Sequence, residues 1–250
     1  MLGMKNLSRS GRLNYVFSII SYILFGFLTV SIIIFGTNTI QKWIISVVFV
    51  LFLIGGIFVE YLKRKYHKAL YALNFELNTK KAIALFDELE KKDLFHGYQN
   101  TRILFDVQVA LEEKRYSDAL RLIDQNEDIF RKDLEMFSIM QYVKLRCYVA
   151  KGDQKRAARA YKDFKMTSKQ KRAPRIFSPD EVEGLYQLAI KNKNSAYKCF
   201  KAVNMKNMNT REIAFILTQL KELTPYKDER EEYQEALENI EKMRTEGEEE

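Results

Sequence analysis

The chain has 250 residues, 47% of them apolar and 30% charged, and its 41 Lys and Arg outnumber its 33 Asp and Glu to give a net charge of +8. With three prolines and ten glycines it can bury a sizeable core, which excludes collagen-like, low-complexity and wholly disordered chains. Its two cysteines, Cys147 and Cys199, are too few for a disulfide-stapled or zinc-ribbon scaffold.

The first 62 residues predict a helical hairpin in a membrane. A basic segment, 1–14, leads into an uncharged apolar run at 15–35, and a short turn leads into a second run at 43–59. As a helix, the first run reaches across the roughly 30 Å core of a bilayer. A cleaved signal peptide is the alternative, but its apolar region is typically about 7 to 15 residues long. Because this run is longer and meets another at once, we expect the hairpin, 15–62, to be retained.

The charges that flank the two runs predict their orientation. Cations precede the first run and follow the second, and the turn holds one: they are Lys5, Arg9 and Arg12, then Lys63, Arg64, Lys65 and Lys68, with Lys42 in the turn. Since an excess of Lys and Arg marks cytoplasmic flanks, both termini are expected in the cytoplasm, with two spans in the membrane. The runs contain no Asp, Glu, Lys, Arg or His, so no transport pathway is indicated.

Beyond residue 62 the sequence predicts helices throughout. Apolar residues recur at helical spacing and no strand-like alternation persists, so the fold class is all-α. Four small residues are each followed, four and seven positions later, by mostly larger groups: Ala82 by Phe86 and Leu89, Ala119 by Ile123 and Asn126, Ala157 by Tyr161 and Phe164, and Ala196 by Phe200 and Val203. Alanine at such positions lets two helices approach closely, which indicates repeated helical hairpins.

Two helix starts carry capping signals. Ser178 precedes Pro179 and stands three residues before Glu181, and Asn209 stands three residues before Glu212. Both spacings predict a capping box at a helix N-terminus.

The periodic segments resemble tetratricopeptide repeats. Residues 115–120 (Arg-Tyr-Ser-Asp-Ala-Leu) and 151–157 (Lys-Gly-Asp-Gln-Lys-Arg-Ala) are similar to that family's turn and second-helix start, and Gly184 stands where the family has its first-helix glycine. The resemblance covers about 66–203 and implies an antiparallel α-solenoid at 63–205, with C-terminal capping helices at 206–243 and an acidic tail at 244–250. An unrelated helical bundle is the alternative, since it would also contain periodic alanines and aromatic residues.

The resemblance also implies a concave groove suited to a peptide or helix. In the family's register the inner helices present seven residues toward it: His67, Tyr71, Asn74, Gln108, Glu112, Arg146 and Glu181. These are the candidate residues for binding a protein partner.

A second candidate surface is basic. Residues 151–175 contain ten Lys and Arg against Asp153 and Asp163, whereas residues 228–250 contain eleven acidic residues against three basic ones. The candidates for binding an anionic partner are Lys155, Arg159, Lys162, Lys169, Lys171, Arg172 and Arg175. Lipid headgroups, an acidic protein segment and RNA are the possible partners, and a solvated face paired with the acidic tail is the alternative. Nucleic acid is least favoured, because the stretch belongs to no recognised module.

The sequence predicts neither an enzyme nor a cofactor or metal site. It lacks nucleophile elbows, P-loops, glycine-rich dinucleotide turns and zinc motifs. Its two histidines, His67 and His96, have no apparent catalytic partner. The predicted function is a membrane-anchored cytoplasmic scaffold or adaptor that binds a protein partner. The alternatives are an accessory subunit of a membrane transport or secretion complex, or anionic lipid or nucleic-acid binding through 151–175.

Overall fold

A computed structural model describes residues 26–27, 30–31, 34, 39–169 and 176–246 of the chain. The chain divides into two compact units, Met1–Lys68 and Ala69–Glu250. Every regular element within the described ranges is helical, so the predicted all-α class is confirmed for them.

The α-helices of the described residues are numbered in chain order. They are α1 Thr39–Asn74, α2 Thr79–Lys92, α3 Gln99–Glu112, α4 Tyr116–Gln125, α5 Glu127–Phe130, α6 Leu134–Ala150, α7 Gln154–Ser168, α8 Pro179–Ala189, α9 Lys193–Ala202, α10 Thr210–Leu223 and α11 Lys227–Glu246, with a 3-10 turn at Met205–Asn207 before α10. Helix α10 lies within the range predicted for C-terminal capping helices, 206–243, and α11 begins in that range and ends three residues beyond it.

The described residues include one helix that is long and apolar enough to cross a membrane. It is the Lys42–Asn74 part of α1, whose most apolar window has a mean hydropathy of 2.5 and is not buried by the protein. This helix contains the predicted second span, 43–59, and continues without a break beyond it, as the lack of glycine and proline after Ile57 predicts. Most of the first predicted span, 15–35, and all of 1–14 lie outside the described residues.

Neighbouring helices form hairpins in the unit Ala69–Glu250. The main contacts pair α3 with α4, α6 with α7, α8 with α9, and α10 with α11. Further contacts join α4 to α6, α6 and α7 to α8, and α9 to α10. These contacts connect helices one or two places apart in the chain, and a continuous apolar core runs through them from Val107 to Leu220.

A turn with a left-handed residue recurs before α2, α4, α7 and α9. Its central residue has a positive φ and stands five positions before each periodic alanine: Leu77 (55°), Lys114 (57°), Gly152 (71°) and Lys191 (62°). After the last three, the next N–H reaches back to a carbonyl of the first helix: Arg115 to Ala110 at 2.7 Å, Asp153 to Tyr148 at 2.9 Å and Asn192 to Gln187 at 2.8 Å. These bonds and φ values define Schellman motifs, which satisfy carbonyls at a helix C-terminus.

Lysine at two of these turns stores backbone strain. A left-handed conformation costs a non-glycine residue about 1 kcal/mol, because its Cβ crowds the following carbonyl. We expect Lys191→Gly to raise the free energy of unfolding by up to about 1 kcal/mol. Lys198→Gly, the same change inside α9, should lower it by a similar amount. Chemical denaturation of the two variants measures both signs, and a loss of stability in Lys191→Gly would contradict the strain.

The four periodic alanines are part of the buried apolar core. Ala82, Ala119, Ala157 and Ala196 are all fully buried. Gly184 of α8 lies at a close helix contact, since a Cβ there would lie 3.0 Å from the ring of Phe200. Of the two predicted capping boxes, the one at Asn209 and Glu212 is confirmed. Ser178 begins α8, but its side chain makes no capping hydrogen bond.

The last two helices pack back onto the beginning of this unit. Leu77, in the turn between α1 and α2, forms an apolar cluster with Leu217 of α10 and Ile240 of α11. Leu77 is 6% exposed, so these helices bury it almost completely. The turn before α2 is therefore in contact with the C-terminal pair, α10 and α11, which a simple row of hairpins would not require.

Candidate functional site

The predicted groove residues differ widely in exposure. His67 and Tyr71 are exposed, Glu181 is buried, and the other four are half-buried: Asn74, Gln108, Glu112 and Arg146. His67 belongs to the unit Met1–Lys68 and the other six to Ala69–Glu250. Six of the seven therefore lie in one unit, and the structure brings two of them together, Arg146 and Glu181.

Glu181 and Arg146 meet in a buried cluster centred on Tyr142. The Tyr142 hydroxyl donates a hydrogen bond to Oε1 of Glu181, and its ring stacks on Phe177 with 3.8 Å between centroids. The Arg146 guanidinium lies 5.8 Å from the centroid of the Tyr142 ring. The sequence prediction missed Tyr142, although its position four residues before Arg146 puts both on one face of α6.

Helix α10 contributes the other side of the cluster. The Phe215 ring centroid lies 3.8 Å from the Arg146 guanidinium carbon, the distance of a close cation–π contact. Arg211, one turn earlier in α10, is half-buried. The inner face of α6 and α8 is thus partly covered by a helix of the same chain.

The charges of the cluster are unevenly compensated. Burial, and then the like charge of Arg146, lower the pKa of Arg211, against the attraction of Glu112 and Glu212. Burial also works to lower the pKa of Arg146, but Tyr142 and Glu181 outweigh it and raise that pKa. Among the described residues, neither guanidinium has a carboxylate oxygen within the 4.0 Å of an ion pair.

The two acidic groups of the cluster, Glu181 and Tyr142, also have raised pKa values. Burial raises the pKa of Glu181, partly offset by the hydrogen bond from Tyr142 and the charge of Arg146. Burial, and then the charge of Glu181, raise the pKa of Tyr142 well above its usual value. Perturbed groups of this kind concentrate at functional sites, although structural clusters contain them too.

Two of the predicted groove residues have unsatisfied acceptors. The side-chain oxygens of Asn74 and Gln108 are buried and accept no hydrogen bond within the described structure. A buried carbonyl oxygen without a donor costs free energy, and most such atoms in native proteins are paired.

The predicted basic residues are only partly described. Lys155, Arg159, Lys162 and Lys169 are exposed on or just after α7. Lys171, Arg172 and Arg175 lie outside the described residues.

The described residues hold no group of three or more His, Cys, Asp and Glu side chains placed to bind a metal ion. Both cysteines are free thiols. Burial raises the pKa of Cys147 to about 12, and burial also raises the pKa of Cys199. Neither thiol has the lowered pKa of a reactive cysteine.

Comparison with known proteins finds no match for this chain among protein families, curated proteins or solved structures. The class of protein is therefore defined by the chain's own features. Its described residues form an apolar helix long enough to cross a membrane, followed along the chain by packed helical hairpins, with no strand among them.

Proposed function

We propose that this protein is a membrane-anchored scaffold whose helical domain binds a segment of a protein partner on the inner face of α3, α6 and α8. A single observation carries the proposal. Arg146 and Arg211 are both half-buried, the charge of Arg146 lowers the pKa of Arg211, and neither guanidinium has a carboxylate within ion-pair distance among the described residues. Guanidinium groups bind carboxylates with two parallel hydrogen bonds, so a partner segment with an acidic side chain or terminus fits this face.

The membrane anchor in this proposal is the hairpin 15–62, with both termini in the cytoplasm. The exposed apolar surface of α1 supports it, since side chains such as Trp43 and Ile57 are 70% and 71% exposed to the surroundings. The cations at 63–68 follow this apolar part directly, as expected at a cytoplasmic boundary. Retention in membranes after alkaline carbonate extraction tests the anchor. Thiol labelling of intact cells at Thr39→Cys, but not at Glu248→Cys, tests the orientation.

A solenoid like that of tetratricopeptide repeats is the architecture in this proposal. The recurring Schellman turn supports it, because the same local geometry appears five residues before three buried alanines. Sequential packing of the hairpins supports it as well. In such an arrangement the first helices of successive hairpins line one face, where Gln108, Arg146 and Glu181 belong. Confinement to a membrane would raise the effective concentration of a weakly bound partner.

Arg211→Met is expected to stabilise the folded domain while weakening partner binding. The lowered pKa of Arg211 shows that its surroundings disfavour the charge, and an apolar side chain of similar length removes that cost. Replacing buried charges by apolar residues is often neutral or stabilising by about 1 kcal/mol or more. Chemical denaturation of the full chain in detergent measures the stability. Photo-crosslinking in cells, from a probe replacing the exposed Tyr71, measures partner capture.

Lys206→Met is the matched control for this experiment. It removes one positive charge from an exposed site shortly before α10. We expect it to leave both the stability and the crosslinked product unchanged. Equal loss of product in the two variants would show that overall charge, and not the inner face, attracts the partner. An unchanged amount of crosslinked product in Arg211→Met would contradict the proposed binding face.

A further inference from the structure

Four exposed cations and one exposed methionine form a stripe along the solvent side of α7 and the residue that follows it. Lys155, Arg159, Lys162, Met166 and Lys169 are all exposed, and their spacing of four, three, four and three residues puts them on one helix face. The opposite side of α7 is buried through Ala157, Ala160, Phe164 and Thr167. At 1.5 Å per residue the stripe is about 21 Å long.

The cations of the stripe differ from their neighbours on the same helix. Arg156 pairs with Asp153 at 3.4 Å, and Lys165 pairs with Glu183 at 3.4 Å. Within the described residues, the four cations of the stripe have no ion pair. Their charge is therefore available to an external anionic surface. The stripe also contains Met166, between Lys162 and Lys169, whose side chain is 55% exposed.

We propose that this stripe docks on the anionic headgroups of the bilayer that holds α1. Each Lys or Arg near an anionic membrane surface contributes about 1 kcal/mol, so four of them give an attraction of the order that a second membrane signal needs. An exposed methionine among cations suits the boundary between headgroups and acyl chains. The stripe carries no aromatic side chain on which a base could stack, which disfavours RNA.

The stripe is covalently linked, through the same chain, to the apolar helix α1. A surface already tethered near the bilayer binds it at a high effective concentration, so a weak electrostatic contact suffices. This inference rests on the membrane anchor of the proposed function. It adds a second contact between the chain and the membrane, distinct from the face proposed for the protein partner.

A fluorescent probe on the stripe tests the inference in the full chain. Met166→Cys is labelled with an environment-sensitive dye in a Cys199→Ser background, where the remaining Cys147 is buried and its pKa is raised to about 12. The protein is placed in nanodiscs of phosphatidylcholine alone and in nanodiscs that also contain phosphatidylserine. We expect emission at shorter wavelength in the anionic discs and reversal of that shift at high salt.

Two charge-reversal variants locate the effect. In the first, Lys155, Arg159, Lys162 and Lys169 are all replaced by glutamate, and the shift should be lost. In the matched control, the exposed Lys80, Lys91, Lys132 and Lys198 are replaced instead, which changes the net charge equally and should leave the shift intact. Circular dichroism confirms that both variants fold.

The outcomes separate this inference from the membrane anchor. Retention of the chain in neutral nanodiscs reports the anchor alone, and its failure would overturn the proposed function. Equal emission in neutral and anionic discs that do retain the chain would overturn the docking inference. Loss of the shift in the control variant would do the same, since net charge and not the stripe would then be responsible. A shift produced by polyuridylate in neutral discs would assign the stripe to nucleic acid instead.

Discussion

Gly184→Leu is expected to lower the free energy of unfolding by about 3 kcal/mol or more. Three atoms of the Phe200 ring lie within 3.2 Å of the position that a Cβ on Gly184 would occupy. Phe200 is fully buried, so its ring cannot move out into solvent to make room. A branched side chain at residue 184 would push α8 away from α9. The cost of overpacking would then add to the cost of exposing part of the Phe200 ring.

Gly184→Ala provides the graded form of the experiment. Alanine gains up to about 1 kcal/mol of helix propensity over glycine, whereas overpacking costs about 1–3 kcal/mol. We therefore expect a smaller net destabilisation than with leucine. Adding Phe200→Leu should return part of the loss, because the two residues share one contact and their effects are not additive. Chemical denaturation of the singles and the double variant measures this coupling.

Gly97→Ala is the control. The nearest atom that its new Cβ would approach, Oδ1 of Asp93, is 3.9 Å away. Its effect should stay within about 0.5 kcal/mol. Additive effects of Gly184→Ala and Phe200→Leu would show that α8 and α9 do not depend on this close approach.

The features predictable from sequence are those governed by local patterns. The spacing of apolar residues predicted the helices, and the uncharged run at 43–59 predicted the apolar helix that α1 contains. The alanine spacing selected four positions that are all fully buried. Asn209 and Glu212 predicted the start of α10, because the two hydrogen bonds of a capping box join residues only three positions apart in the sequence.

The turns were less predictable than the helices they join. Glycine signals a left-handed conformation, and Gly152 has it, but Lys114 and Lys191 adopt it as well. The chain tolerates the cost of these lysines because the surrounding bonds of the Schellman motif hold the backbone. A residue type that normally avoids the conformation gives no signal of its presence.

The inner face was the least predictable part of the structure. The register implied by the repeat resemblance selected Arg146 and Glu181, but the side chains that connect and cover them come from distant segments. The hydroxyl of Tyr142, in α6, donates a hydrogen bond to Glu181, in α8 of the next hairpin. The ring of Phe215, in α10, covers Arg146. Spacing along one helix contains no information on such pairings, which depend on how the hairpins stack.

Glu181→Ala is expected to destabilise the domain by about 2–4 kcal/mol, whereas Glu181→Gln should leave it equally stable or more stable at neutral pH. Glu181 is 3% exposed. Alanine would leave a cavity and a buried Tyr142 hydroxyl without its acceptor, and both are costly. Glutamine keeps the shape and the acceptor oxygen. It also removes a carboxylate whose raised pKa shows that burial disfavours its charge.

The free energy of unfolding, measured against pH for Glu181→Gln and for the unsubstituted protein, distinguishes a charge effect from a packing effect. Because the pKa of Glu181 is higher in the folded than in the unfolded state, the folded protein binds more protons between those two values. The stability that this group contributes is fully present below its unfolded pKa and is lost as the pH rises through the raised folded pKa. The advantage of Glu181→Gln over the unsubstituted protein should therefore grow as the pH rises through this window, and vanish below it. Chemical denaturation across mildly acidic to neutral pH measures the difference. A constant difference at every pH would mean that Glu181 stabilises the inner face by shape alone.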